Sequence, residues 1–484
     1  MKLIKRSLIA AIVAATTAGF SPIAYSSNNL PELGTTAATT LTIDQENEIG
    51  AMYMRVLRSQ LPIISDPVMT EYLDDIGYRI VAHANNVRTP FEFFLVNNND
   101  INAFAFFGGH VGVHSALFLY ADNESELASV LAHEVAHVTQ RHLARSIEQQ
   151  QRFTPATIAG VLGSVLLAMA APEAGIAALQ STLALGQQAQ INYTRSNEQE
   201  ADRIGMRSLV AAGFDPNGVP SFFGKMAAQY RFASKPPQML LTHPLPESRI
   251  ADSRVRAAQY PQILVKPSLH FHLAKARTQV RYAGFSTEVA VSILTKQSRQ
   301  LDPVLKDAAN YGLALAYLEQ KQLQQAQQLI SELREKDPHN LFYLDTFADV
   351  MDATNQRPRA IKALTEARKL RPNNSVIEIN LANMHLREGQ YQQAKLLLER
   401  QLVLDSENST VLSLLSETYQ RLDMTGKRHQ AQAEILALRA DYPRAIDQLQ
   451  RAYKQSMSEP LELARIDARI KQLREAQQQM KQYQ

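Results

Sequence analysis

The chain has no cysteine among its 484 residues. That absence excludes disulfides, a lipid-modified cysteine anchor and thiolate metal ligands, so a strong metal site here must be built from histidine and carboxylate. Charge of one sign is also lacking: 50 Lys and Arg stand against 47 Asp and Glu, a net charge of +3. Lys2, Lys5 and Arg6 precede the first acid, Glu32, so the remainder is near neutral and has no nucleic-acid-binding footprint. Apolar runs are short. Ser7 to Phe20 falls below the ~20 residues of a spanning helix, and the uncharged stretch 158–185 is broken by Pro172-Glu173-Ala174-Gly175. With basic residues before it and Ala24-Tyr25-Ser26 after it, the first run reads as a secretory signal, 1–26, cleaved to leave a soluble protein starting near Ser27.

What the chain does have is His133-Glu134-Val135-Ala136-His137. On a helix, residues four apart share a face, so both imidazoles can serve as ligands of a tetrahedral Zn²⁺ with a position left open for water. Glu134, beside the first ligand, is positioned to act as the general base. Asn123-Glu124-Ser125-Glu126 followed by Leu127, Val130, Leu131, Val135 and Val138 supplies the helix, with acids where the macrodipole favours them.

A third ligand must come from further along. The H-E-x-x-H-x-x-G-x-x-H continuation fails, because Gln140 and Leu143 occupy the Gly and His positions, and His142 is one residue too early and points to another face. Glu198 and Asp202, four apart in Asn197-Glu198-Gln199-Glu200-Ala201-Asp202, place a ligand carboxylate and an orienting carboxylate on one helical face. Glu200 is expected to face solvent.

These residues resemble the M48 class of zinc peptidases, in which the first Glu of E-x-x-x-D is the third ligand. Asn102-Ala103-Phe104-Ala105, Gly108-Gly109-His110-Val111-Gly112-Val113 and Thr242-His243-Pro244-Leu245-Pro246-Glu247-Ser248-Arg249 resemble the periplasmic branch of that class. The resemblance implies one Zn²⁺ per chain on His133, His137 and Glu198, with Glu134 catalytic. It makes Asp202 either an orienter or a proton donor. It makes His243 a regulatory plug on the fourth zinc position. Arg249 is a candidate partner for the nearby carboxylates or a surface residue. The strand Gly109, His110, Val111, Gly112 and Val113 is expected to hold an extended substrate by edge pairing. Phe106-Phe107 and His114 stand where that branch has Leu-Pro and Asn, which bears on peptide preference.

The C-terminal half repeats. Asp337-Pro338-His339-Asn340, Arg371-Pro372-Asn373-Asn374 and Asp405-Ser406-Glu407-Asn408 recur at 34 residues, as do Ala326, Ala360 and Ala394, and Ala314, Ala348 and Ala382. That period with small residues at helix-crossing positions is the tetratricopeptide pattern, an array whose surface binds a partner or an extended chain.

The expected fold is therefore mainly α (α+β). A signal occupies 1–26, and a zincin-like helical metalloprotease domain with a small β-sheet occupies 27–265. An α-solenoid of tetratricopeptide repeats occupies 266–484. The segment 158–185 reads either as a helical hairpin packed on the catalytic helices or as an apolar lid or membrane-facing surface near the active site, with peripheral membrane contact in the last case. The resemblance implies a periplasmic endopeptidase of outer-membrane β-barrel assembly and quality control. Its implied partners are the assembly machinery and unfolded or stalled outer-membrane proteins. A non-proteolytic chaperone or scaffold on the same machinery is the alternative.

Overall fold

The computed structural model describes residues 41–149, 187–231, 237–261 and 266–481. The signal segment 1–26 and the apolar stretch 158–185 lie outside the described residues. No helix among the described residues is long and apolar enough to cross a membrane.

The N-terminal part opens with α1 (Ile43–Gln60), β1 (Ile63–Ile64) and α2 (Pro67–Val81), then β2 (Glu92–Val96), β3 (Ala103–Phe106) and β4 (His110–His114). Helices α3 (Ala116–Tyr120), α4 (Glu124–Thr139), α5 (His142–Gln149), α6 (Gln187–Ala211), α7 (Gly218–Tyr230), α8 (Gln238–Thr242) and α9 (Glu247–Ala257) follow. The strands form one sheet in the order β1-β2-β4-β3, with β2 and β4 parallel and the other pairs antiparallel.

Strand alternation gives this sheet two apolar faces. Phe94, Val96, Phe104 and Phe106 pack beneath α1 and α5. Phe93, Leu95, Val111 and Val113 pack against α2 and α4. His110 stacks on Phe106 at 4.9 Å, and His114 meets the Phe104 ring edge-on, so both histidines sit on the face away from α4.

The topology corrects one expectation. The strand through Gly109, His110, Val111, Gly112 and Val113 is not an edge. It is hydrogen-bonded to β2 on one side and β3 on the other, which leaves it no backbone groups for a substrate. The free edge beside α4 belongs to β3.

From Leu269 the chain is helical: α10 (Leu269–Arg281), α11 (Thr287–Gln297), α12 (Pro303–Glu319), α13 (Leu323–Lys336), α14 (Leu341–Ala353), α15 (Arg357–Leu370), α16 (Ser375–Arg387), α17 (Tyr391–Leu404), α18 (Ser409–Arg421), α19 (Thr425–Ala437), α20 (Tyr442–Gln455) and α21 (Pro460–Lys481). The period has a local cause. Asn340, Asn374 and Asn408, each the last residue of a repeated turn, cap α14, α16 and α18 by accepting backbone N–H bonds. The alanines at the two crossing positions are fully buried, which lets the paired helices close on one another.

The array is tied to the N-terminal part by a buried charge cluster. Asp66 caps α2 and accepts from Arg277 Nε at 2.6 Å and Tyr282 Oη at 2.6 Å. Arg277 Nη1 reaches Asp345 at 2.8 Å and Tyr311 at 2.9 Å, with the side chain 2% exposed. Arg277→Leu would strand two buried carboxylates, so it should cost about 3–5 kcal/mol. A lowered urea-unfolding midpoint checks this; an unchanged one would show that the cluster is dispensable.

Candidate metal centre

Helix α4 begins at Asn123, whose side chain accepts from Glu126 N at 3.0 Å. It runs almost wholly buried through the core, so His133 and Glu134 are 6% and 1% exposed. Helix α6 crosses it closely because Gly205 carries no side chain. A Cβ there would lie 2.8 Å from the Ala132 carbonyl oxygen and 3.1 Å from His133 N. This crossing sets Glu198 and Asp202 against the two histidines.

Four donors converge. One ligand atom from each of His133, His137, Glu198 and His243 lies within 4.8 Å of the others. His133 Nε2 is 3.0 Å from His137 Nε2, 3.4 Å from His243 Nδ1 and 3.2 Å from Glu198 Oε2. Glu198 Oε1 is 3.4 Å from His137 Nε2 and 3.2 Å from His243 Nδ1. A tetrahedral ion with donors at ~2.0–2.1 Å separates them by about 3.3–3.4 Å, close to the 3.0–3.4 Å found here. Three imidazoles and a carboxylate are also the donor chemistry of a borderline divalent metal.

The surroundings hold these donors in place. Asp202 Oδ1 lies 3.0 Å from His133 Nδ1, close enough for electrostatic pairing although not aligned for a linear hydrogen bond. Arg249, buried, grips Asp202 with Nε and Nη2, both at 2.7 Å. Its Nη1 lies 2.9 Å from Glu198 and donates to Pro244 O at 2.7 Å. The surface reading of Arg249 is thereby excluded.

Two further expectations change. His142 Nδ1 lies 2.9 Å from His137 Nδ1, and His142 Nε2 lies 3.2 Å from Glu200 Oε2. Glu200 does not face solvent alone: it also meets Arg145 Nη1 at 3.0 Å. The cause is Arg141, at φ 53°, which ends the helical run and turns His142 back toward His137. Arg141 itself is buried against Glu46 and the Leu41 carbonyl.

Electrostatics treat the two motif histidines differently: burial lowers His137 to about 3 despite the Glu198 charge, whereas His133 is raised. Burial pushes His133 down, but its pairing with the Asp202 and Glu198 carboxylates outweighs that and raises the ring to about 10. Burial likewise opposes ionisation of Glu198, yet the His243 and His137 charges hold it well below the usual carboxylate range. Asp202 is lowered too, burial being outweighed by its bonds from Arg249 and His133. Glu134 behaves oppositely: burial raises it, and the charges of His243 and His133 only partly offset that. Its Oε1 has no hydrogen-bond partner among the described residues.

His243 arrives from a short loop after α8. Its Nδ1 joins the donor cluster while its Nε2 lies 3.5 Å from Glu134 Oε1. The loop is anchored: His243 N donates to Met239 O at 2.8 Å, and Met239 N to Ile101 O at 3.2 Å. Met239 and Leu245 line a narrow hollow shared with Val130, Met206 and Phe223.

Residues 67–257 match the sequence pattern of peptidase family M48, and residues 353–418 match that of the tetratricopeptide repeat. A Vibrio cholerae relative is 50% identical over 444 residues, 92% of each chain. The β-barrel assembly-enhancing protease of Escherichia coli K12 is 46% identical over 482 residues, 99% of each chain. The mitochondrial metalloendopeptidase OMA1 of Schizosaccharomyces pombe is 30% identical over 181 residues, 37% of this chain and 51% of that protein.

Proposed function

The chain belongs to the β-barrel assembly-enhancing proteases, M48 metallopeptidases with tetratricopeptide repeats, and from that premise we propose a periplasmic zinc endopeptidase of outer-membrane protein assembly. The observation that carries this reading is the convergence of four donors with the buried Glu134 carboxylate beside them, its Oε1 without a hydrogen bond among the described residues. The signal-like segment 1–26 supports the compartment. The name of the Escherichia coli relative supports the process; misassembled outer-membrane proteins as substrates and the assembly machinery as partner are part of the proposal.

Bound Zn²⁺ supplies Lewis acidity, polarising a carbonyl and making water more acidic. His133, His137 and Glu198 are the residues we assign to hold it. Glu134 accepts the proton of the attacking water and delivers it to the leaving amine, a role suited to a buried carboxylate of raised basicity. Asp202 fits the orienting role better than the proton donor: Arg249 keeps it ionised, and it lies against the Nδ1 of His133. An extended substrate is best served by the outer edge of β3, beside α4, where backbone bonds would set its register. The repeat array suits protein docking, with the assembly machinery as proposed partner.

His243 supports a resting state in which the site is capped. Its ring covers the donor cluster and faces the base at once, so neither is open to substrate until the loop moves.

Purified protein should contain one zinc per chain, and Glu198→Ala should lose most of it. Elemental analysis of protein prepared without chelator is the test. No zinc in the wild type, or an unchanged content in Glu198→Ala, would defeat the assignment.

A further inference from the structure

We propose that His142 and Glu200 form a relay that positions the metal ligand His137, so that the two motif histidines are oriented by different devices. The argument rests on the metal reading above and proceeds by tautomers. If His137 gives Nε2 to the metal, its proton must sit on Nδ1. His142 Nδ1 lies 2.9 Å from that atom and therefore accepts. A neutral His142 that accepts at Nδ1 carries its own proton on Nε2, and that atom lies 3.2 Å from Glu200 Oε2. Arg145 Nη1, 3.0 Å from the same oxygen, fixes the carboxylate that ends the chain. Every proton in the series then has one donor and one acceptor.

The contrast with His133 is direct. That ligand meets its carboxylate, Asp202, without an intermediary. For His137 the carboxylate stands one imidazole away, and His142 is 3% exposed, closed off from solvent that could replace it. His142 is a positioning residue: it acts through His137 and touches neither substrate nor the proposed metal position.

The test is zinc affinity, read by competition with a chromophoric chelator at neutral pH, with thermal unfolding of the chelator-treated protein as the folding control. His142→Ala should weaken binding about 10- to 100-fold, the usual range for loss of a partner behind a ligand. His142→Asn, which keeps an acceptor where Nδ1 was, should recover most of that loss. Glu200→Gln should give a smaller loss, and none beyond that of His142→Ala when the two are combined. Wild-type affinity in His142→Ala or in Glu200→Gln overturns the relay, as does a full additional loss in the double variant. If His142→Ala fails to fold, His142→Asn and Glu200→Gln decide. A wild type that binds no zinc would overturn the metal site itself, a failure distinct from equal binding by all variants.

Discussion

Glu134→Gln should slow cleavage of an unfolded protein such as casein by about 10²–10⁴-fold while leaving zinc bound, the range for loss of a general acid–base group. The substitution nearly preserves shape, so the surrounding core has no reason to move. What it removes is a proton acceptor that is 1% exposed and has no hydrogen-bond partner on Oε1 among the described residues. Burial raises this carboxyl, so the native group is a stronger base than an ordinary glutamate, and an amide has no comparable basicity. Casein cleavage and zinc content measured on the same preparation check both halves of the expectation. Activity within a few-fold of wild type would mean that another group handles the proton. The same variant separates the two functional readings: if assembly of outer-membrane proteins proceeds unchanged with it in place of the wild type, the scaffold reading wins.

His243→Ala should act in the opposite direction. With the ring removed, the proposed ligands His133, His137 and Glu198 remain, and the fourth position should open together with the path to Glu134. Tethering explains why one imidazole suffices as a cap, since the loop holds it at high effective concentration. Met239 and Leu245 in their narrow hollow, the Arg249 bond to Pro244 and the backbone bond from Met239 to Ile101 all favour the closed arrangement. If closure leaves a tenth to a hundredth of molecules competent, removing the ring raises cleavage about ten- to a hundredfold. A partner on the repeats would release the cap only by preferring the open state. Equal or slower cleavage by His243→Ala, with zinc retained, would reduce His243 to an ordinary loop residue or a contact that aids the reaction.

Much of this arrangement is legible in the sequence because it is periodic. His133 and His137, or Glu198 and Asp202, need only helical spacing to share a face. The repeat turns ending at Asn340, Asn374 and Asn408 announce helix starts through capping chemistry. What stays hidden depends on breaks in regularity and on tertiary pairing. His142 is misread as long as α4 is taken to continue, because only the left-handed turn at Arg141 reverses its direction. The partners of Glu200, and the choice between the two readings of Arg249, follow from neighbours distant in sequence, and an Arg or Glu on a helix carries no mark of its partner. The edge strand is misplaced for a similar reason. Alternation identifies β2 and the valines of β4, but nothing local reveals that β4 lies between β2 and β3. The Ala103–Phe106 segment, which ends up as the edge, is a four-residue strand that reads from sequence only as part of a motif.

Zinc K-edge X-ray absorption of the purified wild type, set beside His243→Ala, tests the central claim most directly. The arrangement predicts four nitrogen or oxygen donors at ~2.0–2.1 Å. Three should be imidazoles in the wild type and two in His243→Ala. Two imidazoles in both proteins would contradict it, because His243 would then stand near the metal without binding it.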